Sequence, residues 1–307
     1  MKKFSTTSSA EIMALIRTLG YKENGETIRT EDYMAEIFLS KFMRFILSLS
    51  VLRSLILAFY AIKLPGGLPY IMAKSRAIDD MLLQALNEDE KPEQLIILGA
   101  GYDTRTYRFR EELTNIKCFE IDHPEMIARK RSAMKKITSP SNYKADDKSS
   151  VHYCAADFNG KDNFDLDWLV SQGVDKNKKT VFIIDGVSYF LQEDAFKNLL
   201  SVIALFPENT QVVFDYVYAD ILTGGVYRGS EAFKSSLQKM GEPVSYGINQ
   251  QELMITMKIL GFELTELMSP KQLEWRYLTK PTGESVQPYG FLNIALLKRT
   301  SVSCLLE

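Results

Sequence analysis

The sequence predicts an α/β protein, with a doubly wound and mostly parallel sheet of seven strands lying behind an N-terminal helical lid. Two observations carry that expectation. Short apolar runs alternate with longer amphipathic segments along the chain, the pattern of strands covered by helices on both faces. Acids or glycines also stand directly after each of the first four runs, and beyond those strand ends such sheets bind their ligands. With 307 residues, 46% of them hydrophobic, the chain has enough material for one large core with an appendage.

In chain order, Lys2 and Lys3 are followed by the polar run FSTTSSAE, where an export signal would place an apolar core. A cytoplasmic protein is therefore expected. Residues 42–63, FMRFILSLSVLRSLILAFYAIK, read at helical spacing but are interrupted by Arg44 and Arg53 and closed by Lys63. The uninterrupted runs reach only about nine residues against the roughly 20 that a membrane span needs, so integral insertion is not expected. Three readings of this region stay open: helices packed on the core, a lid over a ligand, or an element resting on a membrane surface.

Proline and glycine in LPGGLPY, residues 64–70, break the helical pattern and mark a hinge. The cover is accordingly assigned to residues 1–70 and the main domain to 71–307. Helical spacing resumes over 71–86, and the polar run NEDEKPEQ leads into the first strand, which ends in LGAGYDT. Then follow a strand over 116–122, a helix in PEMIARKRSAMKKI, a strand within 151–158, and a strand and turn within 180–191. A helix over 192–205 and a strand within 210–220 come next. An irregular segment, read as an acceptor-site insertion around 220–250, precedes a helix near 250–260 and two last strands, FELTELM and FLNIALLKR.

Composition excludes some functions. A net charge of -2 and a pI near 5.9 supply no basic field, so nucleic acid is not an expected partner. The cysteines Cys118, Cys154 and Cys304 show no C-x-x-C spacing and there are only two histidines, so no metal site is expected and a reduced setting fits.

The candidate binding residues cluster at strand ends. Gly99 and Gly101, with Ala100 and Asp103 between and after them, form a bend that exposes main chain to a ligand. The dinucleotide fingerprint G-x-G-x-x-G lacks its last glycine, which Thr104 replaces, so a ligand without a pyrophosphate is favoured. Glu120 and Asp122 lie about 20 residues further on, the spacing at which a carboxylate accepts hydrogen bonds from ribose hydroxyls. Asp122 is the stronger of the two because it stands nearer the loop; the alternative is a solvated turn carboxylate before Pro124. His123 follows it, either near a substrate or as a turn residue. Asp157 and Phe158 end the third strand, and Asp185 and Gly186 the fourth. Each is ordinary turn chemistry alone; four consecutive strand ends with the same chemistry are not.

These segments, LGAGYDTRTYRF, FEIDHPEMIARKR, AADF and IIDGVSYFL, resemble the leucine carboxyl methyltransferase-like group of class I S-adenosylmethionine-dependent methyltransferases, in its bacterial O-methyltransferase branch. The resemblance covers residues 71–220, with a weaker echo in RYLTKPTGE. It implies a Rossmann-like fold, S-adenosyl-L-methionine as cofactor, and methyl transfer to a carboxylate or phenolic hydroxyl of a small-molecule acceptor, in secondary metabolism. It further implies that Gly99 and Gly101 line the methionine and ribose, Asp122 holds the ribose diol, Asp157 and Phe158 frame adenine, and Asp185 meets the methionine ammonium. The group's arginine for the cofactor carboxylate falls, by ungapped counting, on Lys74, with Arg76 two positions later; lysine offers a point charge in place of a bidentate fork. Where the group carries a glutamate, this chain has Asp185.

Methyl transfer from a sulfonium needs alignment and exclusion of water, and no metal. A phenol must lose its proton, whereas a carboxylate arrives ionised. With only His123 and His152 as histidines, a carboxylate or an acidified phenol is expected. Acceptor-site candidates are Tyr189, Tyr216, Tyr218, Tyr227, Arg228, Arg276 and Tyr277; for the tyrosines, packing in strands and core is the competing explanation. Two other readings remain: an NAD-dependent oxidoreductase, and a non-catalytic cofactor-binding partner protein.

Overall fold

The computed structural model describes residues 7–23, 29–135, 151–160 and 164–300. The start of the chain, Cys304 and the last two positions of the helix expected after Pro124 lie outside these residues. The chain opens with α1 (Thr7–Lys22), α2 (Lys41–Ser48), α3 (Ser50–Lys63) and α4 (Gly67–Leu86), then enters the sheet at β1 (Gln94–Leu98). The short α5 (Arg105–Arg108), β2 (Lys117–Asp122), α6 (Pro124–Lys135), β3 (His152–Ala155), α7 (Leu166–Ser171), β4 (Thr180–Ile184), α8 (Glu193–Ile203) and β5 (Gln211–Val217) follow. The last elements are α9 (Ser230–Met240), α10 (Gln250–Ile259), β6 (Phe262–Met268), α11 (Pro270–Tyr277) and β7 (Leu292–Arg299).

All seven expected strands form one sheet, in the order β3-β2-β1-β4-β5-β7-β6. Pairs among β1 to β5 are parallel, while β7 runs antiparallel between β5 and β6. The chain starts at β1, moves outward through β2 and β3, then returns to β4 on the other side, so the switch point lies between β1 and β4. Alternate residues of β1 enter opposite cores: Leu95 and Ile97 pack with α1 and α4, whereas Ile96 and Leu98 pack with α7 and α8. This two-sided burial is why β1 and β4 read as apolar runs after their first residue, and β5 as one interrupted only by Asp215.

Two expectations need correction. The helix expected from residue 71 starts at Gly67, because Gly66 takes the left-handed φ of +90° that ends the preceding turn and Pro69 is tolerated in a first turn. The boundary drawn at residue 70 thus falls within α4. The segment expected to be irregular around 220–250 contains α9. The region 42–63 is two helices bent by 103° at Leu49, and no single helix among the described residues is long and apolar enough to cross a membrane.

Candidate functional site

The site is built where β1, β2 and β4 end together. After Leu98 the backbone turns through Gly99 and Gly101, with φ of +71° and +41°. A side chain on Gly99 would place its Cβ 2.2 Å from Val187 Cγ2 in the loop after β4, so both conformation and close approach require glycine. The Gly99 and Ala100 amides donate to the Ile121 carbonyl at 2.8 and 3.1 Å, hanging the bend on β2.

Asp122 faces this bend. Its Oδ2 accepts from the Gly101 amide and its Oδ1 from the His123 amide, both at 2.6 Å. Each carboxylate oxygen keeps a free lone pair, and the residue is half-buried. Burial pushes this carboxyl up from its ordinary value while the two amides oppose that shift. The adjacent His123 Nδ1 is buried and has no hydrogen-bond partner among the described residues.

Glu120, expected beside Asp122 in ligand binding, lies elsewhere. It is fully buried, 2.7 Å from Lys130 Nζ of α6, and accepts from the Thr106 hydroxyl at 2.6 Å. It is a brace between β2, α5 and α6.

Beneath the bend runs a continuous charge network. Lys74 Nζ lies 2.8 Å from Asp185 Oδ1 and 2.9 Å from Asp215 Oδ2. Arg105 joins Asp79 at 2.7 Å, Asp103 at 2.5 Å and Asp185 at 3.0 Å. Arg108 binds Asp79 at 2.8 Å and approaches Asp32 at 3.5 Å, and Arg17 binds Asp32 at 2.9 Å. Asp215 also accepts from the Tyr70 hydroxyl and from the Gly186 amide. The network holds five carboxylates and four cations, leaving one negative charge in excess. Burial pushes the Asp185 carboxyl up, but Lys74 and Arg105 prevail and hold it well below the ordinary range. Burial likewise opposes the charge on Lys74, but Asp185 and Asp215 outweigh it and raise the pKa of its ammonium.

Arg76, two positions beyond Lys74 on α4, points away, donating to the Tyr277 carbonyl at 3.1 Å and lying over the Tyr277 ring. Asp157 is exposed and accepts from the Asn159 amide, and the half-buried Phe158 packs edge-on against Phe164.

A largely apolar cavity of about 40 Å³ adjoins Lys74. Ile12 and Met13 of α1, Tyr70 of α4, Phe233 and Leu237 of α9, and Tyr189 and Tyr289 line it. Tyr189 is the one acceptor candidate on its wall. Burial raises the pKa of the Tyr189 hydroxyl, which therefore stays protonated at neutral pH. Tyr216 is buried on the opposite face of β5, in the core with Phe214, because strand alternation that turns Asp215 inward to α4 turns its neighbour away. Tyr218 packs against Tyr227 with the rings tilted by 48°, Arg228 is exposed, and Arg276 forms a surface pair with Glu266 at 2.9 Å. None of these lines the cavity.

Sequence reasoning missed Arg105, Asp79, Tyr70 and Asp215. Asp215 carried a signal, being a charged residue inside the apolar strand QVVFDYV, since a buried charge demands a partner. Arg105 stood within the quoted LGAGYDTR motif without an assigned role.

Comparison with known proteins bears on the family and the fold. A relative from Bacillus subtilis, named as a candidate S-adenosyl-L-methionine-dependent methyltransferase, is 29% identical over 184 residues, covering 59% of this chain and 57% of the relative. A similarly named protein from Mycolicibacterium gilvum is 30% identical over 160 residues, covering 50% and 48%. The chain thus spans about half the length of the curated relatives it matches. Among solved structures, a DUF574 family protein from Streptomyces avermitilis superposes with a TM-score of 0.59 at 11% identity, covering 96% of this chain and 98% of the other. A candidate methyltransferase from Thermobifida fusca gives 0.57 at 12% identity, covering 89% and 95%. At such identities these two share the fold. The family model described as leucine carboxyl methyltransferase matches residues 10–204, which span β1 to β4 and the whole charge network except Asp215, and the chain belongs to that family.

Proposed function

We propose that this protein is an S-adenosyl-L-methionine-dependent O-methyltransferase acting on a carboxylate or phenolic hydroxyl of a small-molecule acceptor. The carrying observation is Asp122, fixed by two backbone amides beside a glycine bend with a lone pair open on each oxygen. A carboxylate so held is ready to accept from both hydroxyls of a ribose. The residues present fit the cofactor in two further ways. Bare backbone at Gly101, where an added Cβ would meet nothing closer than 3.9 Å, leaves room for a ligand, and the single excess negative charge of the network complements a molecule that carries a sulfonium, an ammonium and one carboxylate.

In this reading Asp185 receives the ammonium, Lys74 approaches the cofactor carboxylate, and Asp157 and Phe158 flank the adenine. The cofactor supplies a methyl group on a positively charged sulfur, transferred by in-line displacement to the acceptor oxygen. The protein aligns that oxygen and excludes water, for which the apolar wall of Ile12, Met13, Phe233 and Leu237 is suited. Tyr189, held neutral by burial, acts as a hydrogen-bond donor and not as a base. That favours an acceptor that arrives ionised.

The test is calorimetric binding of S-adenosylhomocysteine. Asp122→Ala loses one or two charge-assisted hydrogen bonds, on the order of 1.5–3 kcal/mol each, and binds at least about tenfold more weakly. Unchanged affinity refutes the ribose role. Thermal protection of the wild type by S-adenosylhomocysteine and not by NADH supports the reading, and the reverse pattern would make the protein an oxidoreductase. Binding without transfer of labelled methyl to any of a broad acceptor panel would make it a non-catalytic partner protein.

A further inference from the structure

Helices α2 and α3 are built inside out. On α3, Val51, Leu55, Phe59 and Ile62 fall on one stripe, and that stripe faces solvent, with Val51 71% and Ile62 78% exposed. No residue of α3 is buried, although the helix packs on α2 and α4. Phe42, Phe45 and Leu49 continue the same exposed surface along α2. A contiguous patch of this kind marks a contact surface and not core packing. A groove lined by Leu15, Met43, Ile46, Leu52, Ile56 and Phe59 runs beneath it.

Charge narrows the occupant. Residues 37–78 contain no aspartate or glutamate, in a chain with 39 acidic residues. Beside the phenylalanine stripe of α2, Lys41 and Arg44 form a parallel exposed stripe, and Lys63 closes α3. Among the described residues these three cations have no acidic partner; the other cation of α2 and α3, Arg53, is tied to Glu23 at 3.2 Å. Outward aromatic and aliphatic side chains bordered only by cations match the boundary of a bilayer, where acyl chains meet anionic headgroups. The 103° bend rules out a straight span.

We propose that α2 and α3 form a peripheral docking face for an anionic lipid bilayer, with Phe42, Phe45, Val51, Leu55, Phe59 and Ile62 entering the acyl boundary and Lys41, Arg44 and Lys63 contacting headgroups. The test is flotation of the full chain with vesicles of phosphatidylcholine alone or of phosphatidylcholine mixed with phosphatidylglycerol. The wild type floats with the mixed vesicles at least tenfold better than with the neutral ones, and added salt weakens the association. Phe45→Ser combined with Phe59→Ser lowers the floated fraction at least tenfold, as does Lys41→Gln with Arg44→Gln and Lys63→Gln. All these positions are exposed, so both variants keep the wild-type melting midpoint. Absence of flotation, equal flotation with both vesicle types, or flotation unmoved by the variants overturns the proposal. So does light scattering that shows a dimer dispersed by the phenylalanine substitutions in a protein that ignores vesicles, for the face would then join two copies of this chain.

Discussion

Asp215 has no contact with solvent, and its charge is tolerated because Lys74, Tyr70 and the Gly186 amide surround it. Lys74→Met removes a counter-ion from Asp215 and from Asp185 together, leaving Asp185 with Arg105. Breaking a buried pair on one side costs about 3–5 kcal/mol, and urea unfolding of the variant is expected to show a loss of that size. Asp185 gives a pH signature. Its carboxyl is held below the ordinary range, so the stability it contributes is complete above the unfolded aspartate value of about 3.9 and fades as pH falls below it. The stability gap between wild type and Asp185→Asn is therefore expected to narrow as unfolding is measured from about pH 5 toward pH 3. Gly99, Gly101 and Asp122 were legible in the sequence because strand-end chemistry is local and regularly spaced. The Arg105 pairs were not, since which of several aspartates meets a given arginine depends on how α4 crosses β1 and β4.

At the scale of elements, β2 and α6 are tied by Glu120 and Lys130, both fully buried. Replacing Glu120 by leucine alone leaves an ammonium in the core and is expected to lose about 3–5 kcal/mol. Adding Lys130→Met is expected to recover most of that loss, and a double-mutant cycle from denaturant melts measures it. The central strands β1, β4 and β5 were readable because burial on both faces writes a largely apolar run. Helix α9 was not, because SEAFKSSLQKM sits between Gly224, Gly225 and Gly229 on one side and Gly241 on the other, which gives the neighbourhood the texture of a loop. Helix α11 was missed for a different reason: its strongest signal is a capping box, Ser269 with Gln272, and not an apolar period.

Across the whole molecule, alkaline pH is the expected weak side. Burial pushes the Cys118 thiol up to about 12 and the Cys154 thiol up to about 11, and it raises the hydroxyls of Tyr70 and Tyr289 as well. The unfolded chain releases these protons first, so folding stability falls as pH rises above about 9 toward those values. Melting midpoints recorded from pH 8 to pH 11 are expected to decline steadily, and iodoacetamide at pH 8 to leave Cys118 and Cys154 unmodified until denaturant is added. The architecture was legible at this scale because alternating element types admit few sheet orders. The outward greasy face of α2 and α3 was not, because periodicity locates a stripe without saying which way it turns. One last consequence follows from the contact between Gly99 and Val187. The two loops compete for a single small volume and Gly99 also holds a left-handed φ, so descendants of this chain keep glycine at position 99 whatever stands at position 187. An unvarying glycine is the scar such a constraint leaves in a lineage.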